Sequence, residues 1–217
     1  MSIHAEKQTK SWSRRKQARP AEILDAALTV FAEKGFAAAR MEDIAARAGV
    51  TKGTIYLYFP SKEEVFKSLA RQHVGDLVSA AMERARDFEG STRDFLAMFL
   101  SAVAGMIQSH GGQAVLPKII IAESGNFPEL ARFWRTEVVD KALTMLAGII
   151  AKGVARGDLR DVPADYVARL CVAPIVMSII WRTVFAPTDT VPFDYQKFLA
   201  LHLDVVMRGL APEGQKP

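Results

Sequence analysis

At 217 residues, the chain is long enough for one or two domains with a packed core, and its 50% hydrophobic and 24% charged residues are typical of a globular protein. Its net charge of +4 is unevenly placed, because residues 1–62 hold 11 Lys and Arg against 6 Asp and Glu, whereas residues 63–217 hold 17 against 18. This asymmetry favours a polyanion-binding domain at the N-terminus, and a single cysteine excludes an internal disulfide or a cysteine-based metal cluster.

The sequence also predicts where the protein works. The first twenty residues have no apolar core and do not form a secretory signal, and the longest uncharged apolar run, at 171–181, is too short to span a bilayer. We therefore expect a soluble cytoplasmic protein, and the lone Cys171, with apolar neighbours, is expected to be a buried inert thiol.

Residues 1–19 are polar and basic, and we expect them to form a disordered arm in the free protein. The arm is either a solvated tail or a segment that tracks phosphates or enters the minor groove of DNA. Pro20 starts the first predicted helix, since a missing N–H costs nothing in a first turn, and Gly35 ends that helix.

Residues 41–62 carry the most specific pattern in the chain, two short helices joined by a tight turn. Ala45, Gly49 and Ile55 stand 4 and 6 residues apart, which is typical of a DNA-binding helix-turn-helix. The small Ala45 lets the second helix cross closely, Gly49 supplies the positive φ of the turn, and Ile55 seals the pair from inside. Thr51 is placed to cap the second helix with its hydroxyl.

The outward positions of the second helix bear groups that suit DNA. They are a cation, a bare backbone, a hydroxyl and two phenols, at Lys52, Gly53, Thr54, Tyr56 and Tyr58. Such groups bind phosphates and base edges in a major groove. Pro60 ends this helix, Ser61 and Glu64 form a capping box for the next one, and Lys62 in that first turn is placed to reach a phosphate.

The segments ILDAALTVFAEKGF and MEDIAARAGVTKGTIYLYFPSKEEVF resemble the N-terminal domain of the TetR family of bacterial transcriptional regulators. The resemblance implies an all-helical homodimer, in which each protomer pairs a three-helix DNA-binding head with a larger ligand-binding and dimerising body. It implies operator contacts at Lys52, Gly53, Thr54, Tyr56, Tyr58 and Lys62. Where the family has Thr or Ser before the first motif helix, this chain has Ala39-Arg40, so we expect a lost N-cap. Either Arg40 replaces the hydroxyl–phosphate contact with a charged one, or the phosphate contact at this position differs from that of the family.

We predict an all-α fold of about nine helices, without strands or repeats. The predicted domains are the arm at 1–19, a helix-turn-helix domain at 20–65, a ligand-binding and dimerisation domain at 66–211, and a flexible tail at 212–217. A long helix over about 61–88 follows the motif. The later helices are predicted at about 91–110, 113–124, 127–156, 163–185 and 193–209.

The predicted body is rich in soft and aromatic side chains. For any one of them core packing is the better interpretation, but together they suit an adaptable apolar cavity for an unknown, partly apolar effector. The candidate lining residues are Met98, Phe99, Met106, Phe127, Trp134, Met177 and Trp181. The candidate polar anchors are His73, His110, Gln113, Glu123 and Arg182.

The last two predicted helices carry more apolar surface than one protomer buries. Apolar positions go nearly all the way round residues 166–185, and a second face is formed by Tyr195, Phe198, Leu199, Val205 and Val206. By the resemblance, these helices pair with their two-fold mates in a four-helix bundle.

We therefore expect a ligand-responsive transcriptional regulator, a repressor released from a palindromic operator when a small molecule binds the body. The four histidines are far apart and form no metal-binding pattern, and no GxSxG or phosphate-cradling glycine loop occurs, so no enzyme, cofactor or metal is expected. The alternatives are a small-molecule carrier that does not bind DNA and a helical enzyme; the basic head argues against the carrier.

Overall fold

The computed structural model describes residues 3–108 and 115–212, with side chains described from Arg19 onward. All regular secondary structure in these ranges is helical, and no strand occurs in them. The helices of the N-terminal part are α1 (Ile3–Ala38), α2 (Met41–Arg47), α3 (Lys52–Tyr58) and α4 (Lys62–Ala70). A π-helical turn (Arg71–Gly75), α5 (Asp76–Arg86), α6 (Thr92–Gln108) and α7 (Val115–Glu123) follow. The remainder comprises α8 (Pro128–Trp134), a second π turn (Arg135–Val139), α9 (Asp140–Ala155), α10 (Ala164–Ile180), a third π turn (Trp181–Phe185), a 3₁₀ turn (Ala186–Thr188) and α11 (Tyr195–Gly209).

If helices joined by a π turn are counted as one, the described residues contain nine helices. This confirms the predicted fold class. The chain divides into two compact units, Met1–Ala70 and Arg71–Pro217, whereas we expected the domain boundary at 65–66. We call them the head and the body.

The first helix begins earlier than predicted. Residues 3–18, expected to be a disordered arm, are helical and continue directly into the predicted first helix, with Pro20 in its interior. The run before Pro20 contains no Gly or Pro and many good helix formers, so nothing in it stops a helix, and a single proline removes only one backbone donor. The predicted stop at Gly35 is confirmed by its φ of 74° and ψ of 166°.

The head buries one compact core. Phe36 packs against Phe31 and Phe66, with ring centroids 5.3 and 5.8 Å apart, so the residue after the Gly35 break is fully enclosed. This core is completed by Ile23, Ala27, Val30, Ile44, Ala45, Ile55, Phe59, Val65 and Leu69. Three helices too short to be stable alone are thereby held together by their shared apolar face.

The body packs α6, α9, α10 and α11 around a second core. Gly153 marks the closest approach, because a Cβ at this position of α9 would collide with the Thr92 hydroxyl at the start of α6. After α9 the chain turns at Gly157, whose φ is 76°. The backbone N–H of Asp158 then donates to the Gly153 carbonyl at 2.9 Å.

One segment of the described chain, Ala164–Thr188, is long and apolar enough to cross a membrane on length and composition alone. The core helix of a soluble protein passes the same criterion. Here α10 packs against α9 and α11, and the segment contains Asp165, Arg169 and Arg182. Its exposed apolar side chains are considered below as a protein interface.

Candidate DNA-binding surface and effector cavity

The turn between α2 and α3 has the geometry that the sequence predicts. Gly49 adopts a φ of 64°, and the N–H groups of Gly49 and Val50 donate to the carbonyls of Ala46 and Ala45, at 3.2 and 3.0 Å. These two hydrogen bonds close α2 as a Schellman motif. Open space surrounds the missing Cβ of Gly49, so glycine is required there by the backbone angle and not by crowding.

The second motif helix is capped and sealed as expected. The Thr51 hydroxyl accepts from the Thr54 N–H at 3.2 Å, and the Thr51 and Thr54 hydroxyls lie 2.9 Å apart. Ile55 is fully buried and Ala45 is 3% exposed, so both residues lie on the inner side of the helix pair. The N–H of Glu64 donates to the Ser61 hydroxyl at 3.3 Å, which confirms that half of the predicted capping box.

The face of α3 opposite Ile55 lies open. Lys52, Gly53 and Tyr56 are exposed, whereas Thr54 and Tyr58 are half-buried. Sequence reasoning missed Leu57, which is 83% exposed. Its position gives the missing signal, since a residue two places beyond a buried helical position points away from the core. An apolar side chain on this face suits contact with a thymine methyl group.

Lys52 is held by an acidic neighbour. Its ammonium lies 2.6 Å from the Glu42 carboxylate, and this hydrogen bond lowers the pKa of Glu42 and raises the pKa of Lys52. Both side chains are exposed, so the ion pair contributes little to the stability of the head. Lys52 must exchange this carboxylate for a phosphate if it is to contact DNA.

Arg40 is exposed and its side chain provides no cap for α2, as expected from the Ala39-Arg40 departure. One part of the cap survives, because the Asp43 carboxylate accepts from the Arg40 N–H at 3.1 Å. The ammonium of Lys34, 2.7 Å from Asp43, holds the pKa of this carboxyl below its ordinary value. The carboxylate is therefore fixed in its charged form.

The structure gives Lys62 a different position from the one predicted. Its ammonium donates to the carbonyls of Phe36, Ala37 and Ala39, at 2.9, 3.0 and 3.3 Å, and lies 4.7 Å from the centroid of the Phe36 ring. An ammonium has three donors, and these three carbonyls use them. Lys62 thus ties the first turn of α4 to the segment between α1 and α2, and we name this arrangement the Lys62 clasp.

The body contains an apolar cavity of about 190 Å³. It is enclosed by α5, α6, α7, α10 and the segment from Trp134 to Ala142. The lining residues are Val74, Leu77, Val78, Phe99, Val103, Met106, Pro117, Ile120, Ile121, Trp134, Val138, Val139, Ala142, Val172, Ile175, Val176 and Ile179. Every one of these lining residues is hydrophobic.

Phe99, Met106 and Trp134 are the predicted effector residues that line this cavity. The other four lie elsewhere. Met98 and Met177 are exposed on the outer faces of α6 and α10, Phe127 precedes α8, and Trp181 donates from Nε1 to Asp189 at 2.8 Å. Periodicity cannot separate these positions, because a Met on either side of an apolar helix gives the same pattern.

The predicted polar anchors that the structure describes do not line the apolar cavity. His73, Glu123 and Arg182 lie outside it, and His110 and Gln113 fall outside the described residues. Cys171 is buried, and burial raises the pKa of its thiol to about 11. The thiol is therefore protonated at neutral pH, in keeping with the inert role expected for it.

Comparison with known proteins identifies both parts. The sequence profile of "Bacterial regulatory proteins, tetR family" matches residues 23–69, and that of "Tetracyclin repressor-like, C-terminal domain" matches residues 85–192. The fatty acid metabolism regulator protein of Bacillus subtilis (strain 168) is 30% identical over 148 residues, which cover 67% of this chain and 74% of that protein. The chain belongs to the TetR family.

Other relatives and solved structures agree with this membership. The HTH-type transcriptional repressor KstR2 of Mycobacterium tuberculosis (strain ATCC 25618 / H37Rv) is 29% identical over 202 residues, covering 90% of this chain and 94% of that one. The fold is shared with the SmeT–triclosan complex (TM-score 0.77, 23% identity, 91% and 93% coverage). The fold is also shared with FadR from Bacillus subtilis in complex with stearoyl-CoA (TM-score 0.69, 22% identity, 88% and 98% coverage).

This TetR-family chain is thus a ligand-responsive, DNA-binding transcriptional regulator with a helix-turn-helix head and a helical ligand-binding body. Its named relatives are transcriptional regulators and not enzymes. Family membership assigns DNA binding to the head and effector binding to the body.

Proposed function

We propose that this TetR-family regulator is a homodimeric repressor in the cytoplasm that leaves a palindromic operator when a small, largely apolar molecule enters its body. The observation that carries the DNA-binding part is the exposed face of α3, which lies opposite the fully buried Ile55. Lys52, Gly53, Thr54, Tyr56 and Tyr58 supply contacts to phosphates and base edges, joined by Leu57. Arg40 and the basic residues before Pro20 contribute further phosphate contacts.

The last two helices provide the dimer interface. Tyr166, Leu170 and Met177 form an exposed stripe on α10, at intervals of 4 and 7 residues, and Leu201 and Val205 lie exposed on α11. These helices pack against each other within the body, and we assign the two stripes to one interface. A two-fold copy covering this surface buries the apolar side chains and sets two α3 helices against half-sites about 34–36 Å apart or a multiple of it.

The predicted second face of α11 divides between the two roles. Tyr195 and Leu199 are buried in the core of their own protomer, and Phe198 and Val206 are half-buried against it. Val205 alone of the five predicted residues is fully exposed and serves the partner.

The apolar cavity is the effector site. Its volume of about 190 Å³ holds a group of ring size, since a dry apolar cavity of about 150 Å³ binds benzene. Ile121 and Val176, which line the cavity and are exposed, form the opening through which a longer molecule would extend. Stearoyl-CoA and triclosan, bound by the FadR and SmeT neighbours, both carry a large apolar part.

The effector must favour one conformation of the dimer, because a ligand with equal affinity for both states shifts neither. Val74, Leu77 and Val78 line the cavity within a few residues of Ala70, where the head ends in the sequence. Occupation of the cavity therefore acts on the segment that leads out of the head. By linkage, operator and effector weaken each other's binding by the same factor.

A gel-shift titration with the DNA upstream of this protein's own gene, at several salt concentrations, tests the operator assignment. A tight shift, a steep salt slope and a two-fold footprint are expected. If selection from a random duplex pool also yields no preferred sequence, the repressor assignment is wrong and the carrier alternative takes its place.

Ala142→Phe tests the effector site, because it places a ring inside the cavity from α9. Operator binding should be retained, while release by triclosan or stearoyl-CoA should be lost if either probe releases the wild type. The matched control is Ala151→Phe, on an exposed position of the same helix. A filled cavity that leaves release unchanged places the effector elsewhere.

A further inference from the structure

Helix α10 contains a proline in its interior, where the backbone needs a substitute hydrogen-bond donor. The helix runs without a break from Ala164 to Ile180, and Pro174 is buried within it. Proline has no N–H group, so the carbonyl four residues earlier, that of Leu170, lacks its helical hydrogen bond. A backbone carbonyl without a donor is costly unless another group supplies one.

His202 of α11 supplies that donor. Its imidazole is hydrogen-bonded to the backbone of Leu170, and this bond favours the protonated form of the ring. A bond of that sign identifies the imidazole as the donor and the Leu170 carbonyl as the acceptor. Helices α10 and α11 pack against each other, so the bond joins them at the carbonyl that Pro174 leaves free.

The other ring nitrogen of His202 has no such partner. Nε2 is buried and makes no hydrogen bond among the residues that the structure describes. In the neutral ring this nitrogen has no proton to donate, whereas in the protonated ring it would hold an N–H without an acceptor. Burial lowers the pKa of His202 and outweighs the Leu170 carbonyl, which raises it. The neutral ring is therefore the form that fits between the two helices.

Charged groups near His202 are engaged with one another. Helices α6 and α10 pack against α11. Asp204 pairs with Arg93 and Arg208, at 3.2 and 2.8 Å, and Asp165 pairs with Arg169 at 3.5 Å. The pKa of His202 is set by burial and by the Leu170 carbonyl, and by none of the titratable groups of these three helices. Those groups are Arg93, Asp94, Asp165, Tyr166, Arg169, Cys171, Tyr195, Lys197, Asp204 and Arg208.

The bond lies beneath the surface on which we place the dimer. The side chain of Leu170 is 57% exposed, and that of Leu201, next to His202, is 61% exposed. Both belong to the apolar stripes of α10 and α11. Any change in how these helices are held together therefore changes the surface that is offered to a second copy.

We propose that His202 and Pro174 form a proton-sensitive lock between α10 and α11. The neutral imidazole holds the Leu170 carbonyl. A second proton would place an unpartnered charge between the helices, so the ring leaves its site and the lock opens. His202 is thus a positioning residue for the dimer face. The lock belongs to the body alone, and its effect on the dimer rests on the homodimer proposed above.

A double-mutant cycle tests whether His202 replaces the donor that Pro174 lacks. His202→Met removes the donor and keeps an apolar side chain, whereas Pro174→Ala returns an N–H to α10. The parent is Trp12→Phe, so that the remaining fluorescence, from Trp134 and Trp181, reports on the body. Denaturant titrations are made at one protein concentration, because a dimer's stability depends on it.

At about pH 8, His202→Met should lower the ratio of folded to unfolded protein by about tenfold or more in the parent, because the Leu170 carbonyl loses its donor. In the Pro174→Ala background the loss should be less than about threefold, since α10 then supplies its own donor. His73→Met is the matched control, and its effect should be the same in both backgrounds. An equal effect of His202→Met in both would overturn the lock.

The pH profile shows whether the lock responds to protons. Because the pKa of His202 is lowered in the folded protein, its contribution is complete above the ordinary histidine pKa of about 6.5. The contribution is lost as the pH falls through the lowered pKa. The advantage of the parent over His202→Met should therefore shrink towards one by about pH 5. An advantage that stays constant over this range would overturn the proton sensitivity.

Sedimentation equilibrium extends the test to the dimer. The dissociation constant of the parent should rise by about tenfold or more between about pH 7.5 and pH 5.5. The rise should be absent from the variant with both His202→Met and Pro174→Ala, which holds the carbonyl without a titratable group. An equal rise in that variant would overturn the role of the lock at the dimer face. A chain that is monomeric at both pH values would contradict the homodimer, while the unfolding cycle would still decide the lock.

Discussion

Replacing Lys62 with Met distinguishes two possible roles of this lysine, a contact with DNA phosphate and a structural bond to backbone carbonyls. The family resemblance implies a phosphate contact, whereas the structure places the ammonium on the carbonyls of Phe36, Ala37 and Ala39. Methionine keeps most of the apolar stem and removes the charge and the three donors. The substitution therefore tests the Lys62 clasp without opening a large cavity.

The expected loss of stability is set by the clasp's solvent exposure. Removing a hydrogen bond that involves a charged group costs about 1.5–3 kcal/mol, and an exposed cation–π contact adds about 0.5–1 kcal/mol. Because Ala37 is exposed, water replaces part of what the carbonyls lose, so the three bonds do not add fully. We expect Lys62→Met to destabilise the head by about 2–3 kcal/mol.

Hydrogen exchange read by mass spectrometry measures this locally, since a single melting temperature would mix the two units. Peptides covering residues 36–60 should exchange about thirtyfold or more faster in Lys62→Met, the factor that corresponds to ~2 kcal/mol. The matched control is Lys67→Met on the same helix, because the Lys67 ammonium bonds to the Glu64 carboxylate of that helix, at 2.8 Å, and not to another segment of the described head. That control should change exchange little.

The salt dependence of DNA binding distinguishes a lost phosphate contact from a destabilised head. A lost phosphate contact lowers the slope of log K against log salt by about one, whereas a loosened head lowers affinity at every salt concentration and leaves the slope unchanged. Unchanged exchange together with a slope reduced by about one would refute the clasp and restore the phosphate contact.

Three further substitutions test other parts of the molecule. Tyr56→Ala should weaken operator binding by about tenfold or more while circular dichroism and dimer mass stay unchanged, and equal binding would show that α3 is docked wrongly. Glu42→Gln should strengthen DNA binding by less than about tenfold, because it releases Lys52. In the wild type, Lys52 should be released in the same way as the pH falls through the lowered pKa of Glu42, since the Lys52–Glu42 pair exists only while the carboxylate is charged. Gly153→Ala should destabilise the body by about 1–3 kcal/mol in denaturant titrations, because its Cβ collides with the Thr92 hydroxyl, and an unchanged midpoint would contradict the close approach of α9 and α6.

The helix-turn-helix was predictable because each of its parts is local. The positive φ of Gly49, the hydroxyl cap of Thr51 and the burial of Ile55 depend on neighbours within a few positions, and the structure has all three. The helix bounds beyond the head were predictable for the same reason, since glycines and prolines mark their ends.

The Lys62 clasp was not predictable from local pattern, because its acceptors lie more than twenty positions earlier in the sequence. A lysine in a first turn next to a DNA-binding helix looks the same whether it faces phosphate or carbonyl. The helical run before Pro20 shows a second limit, since a basic polar segment is compatible with disorder and with a solvated helix.

The apolar cavity shows why ligand residues are harder to assign than DNA-contacting ones. Met177 and Ile175 stand two positions apart on α10, yet one is exposed and the other lines the apolar cavity, and only tertiary packing decides which. Arg182 was expected to anchor an effector in an apolar cavity, where an unpaired cation would be costly. The structure places it instead in the turn after α10, where it lines a second pocket that shares no lining residue with the apolar cavity. A ligand of the body alters repression only through a difference in affinity between the DNA-bound and released states, so that difference, and not affinity alone, is the quantity to measure.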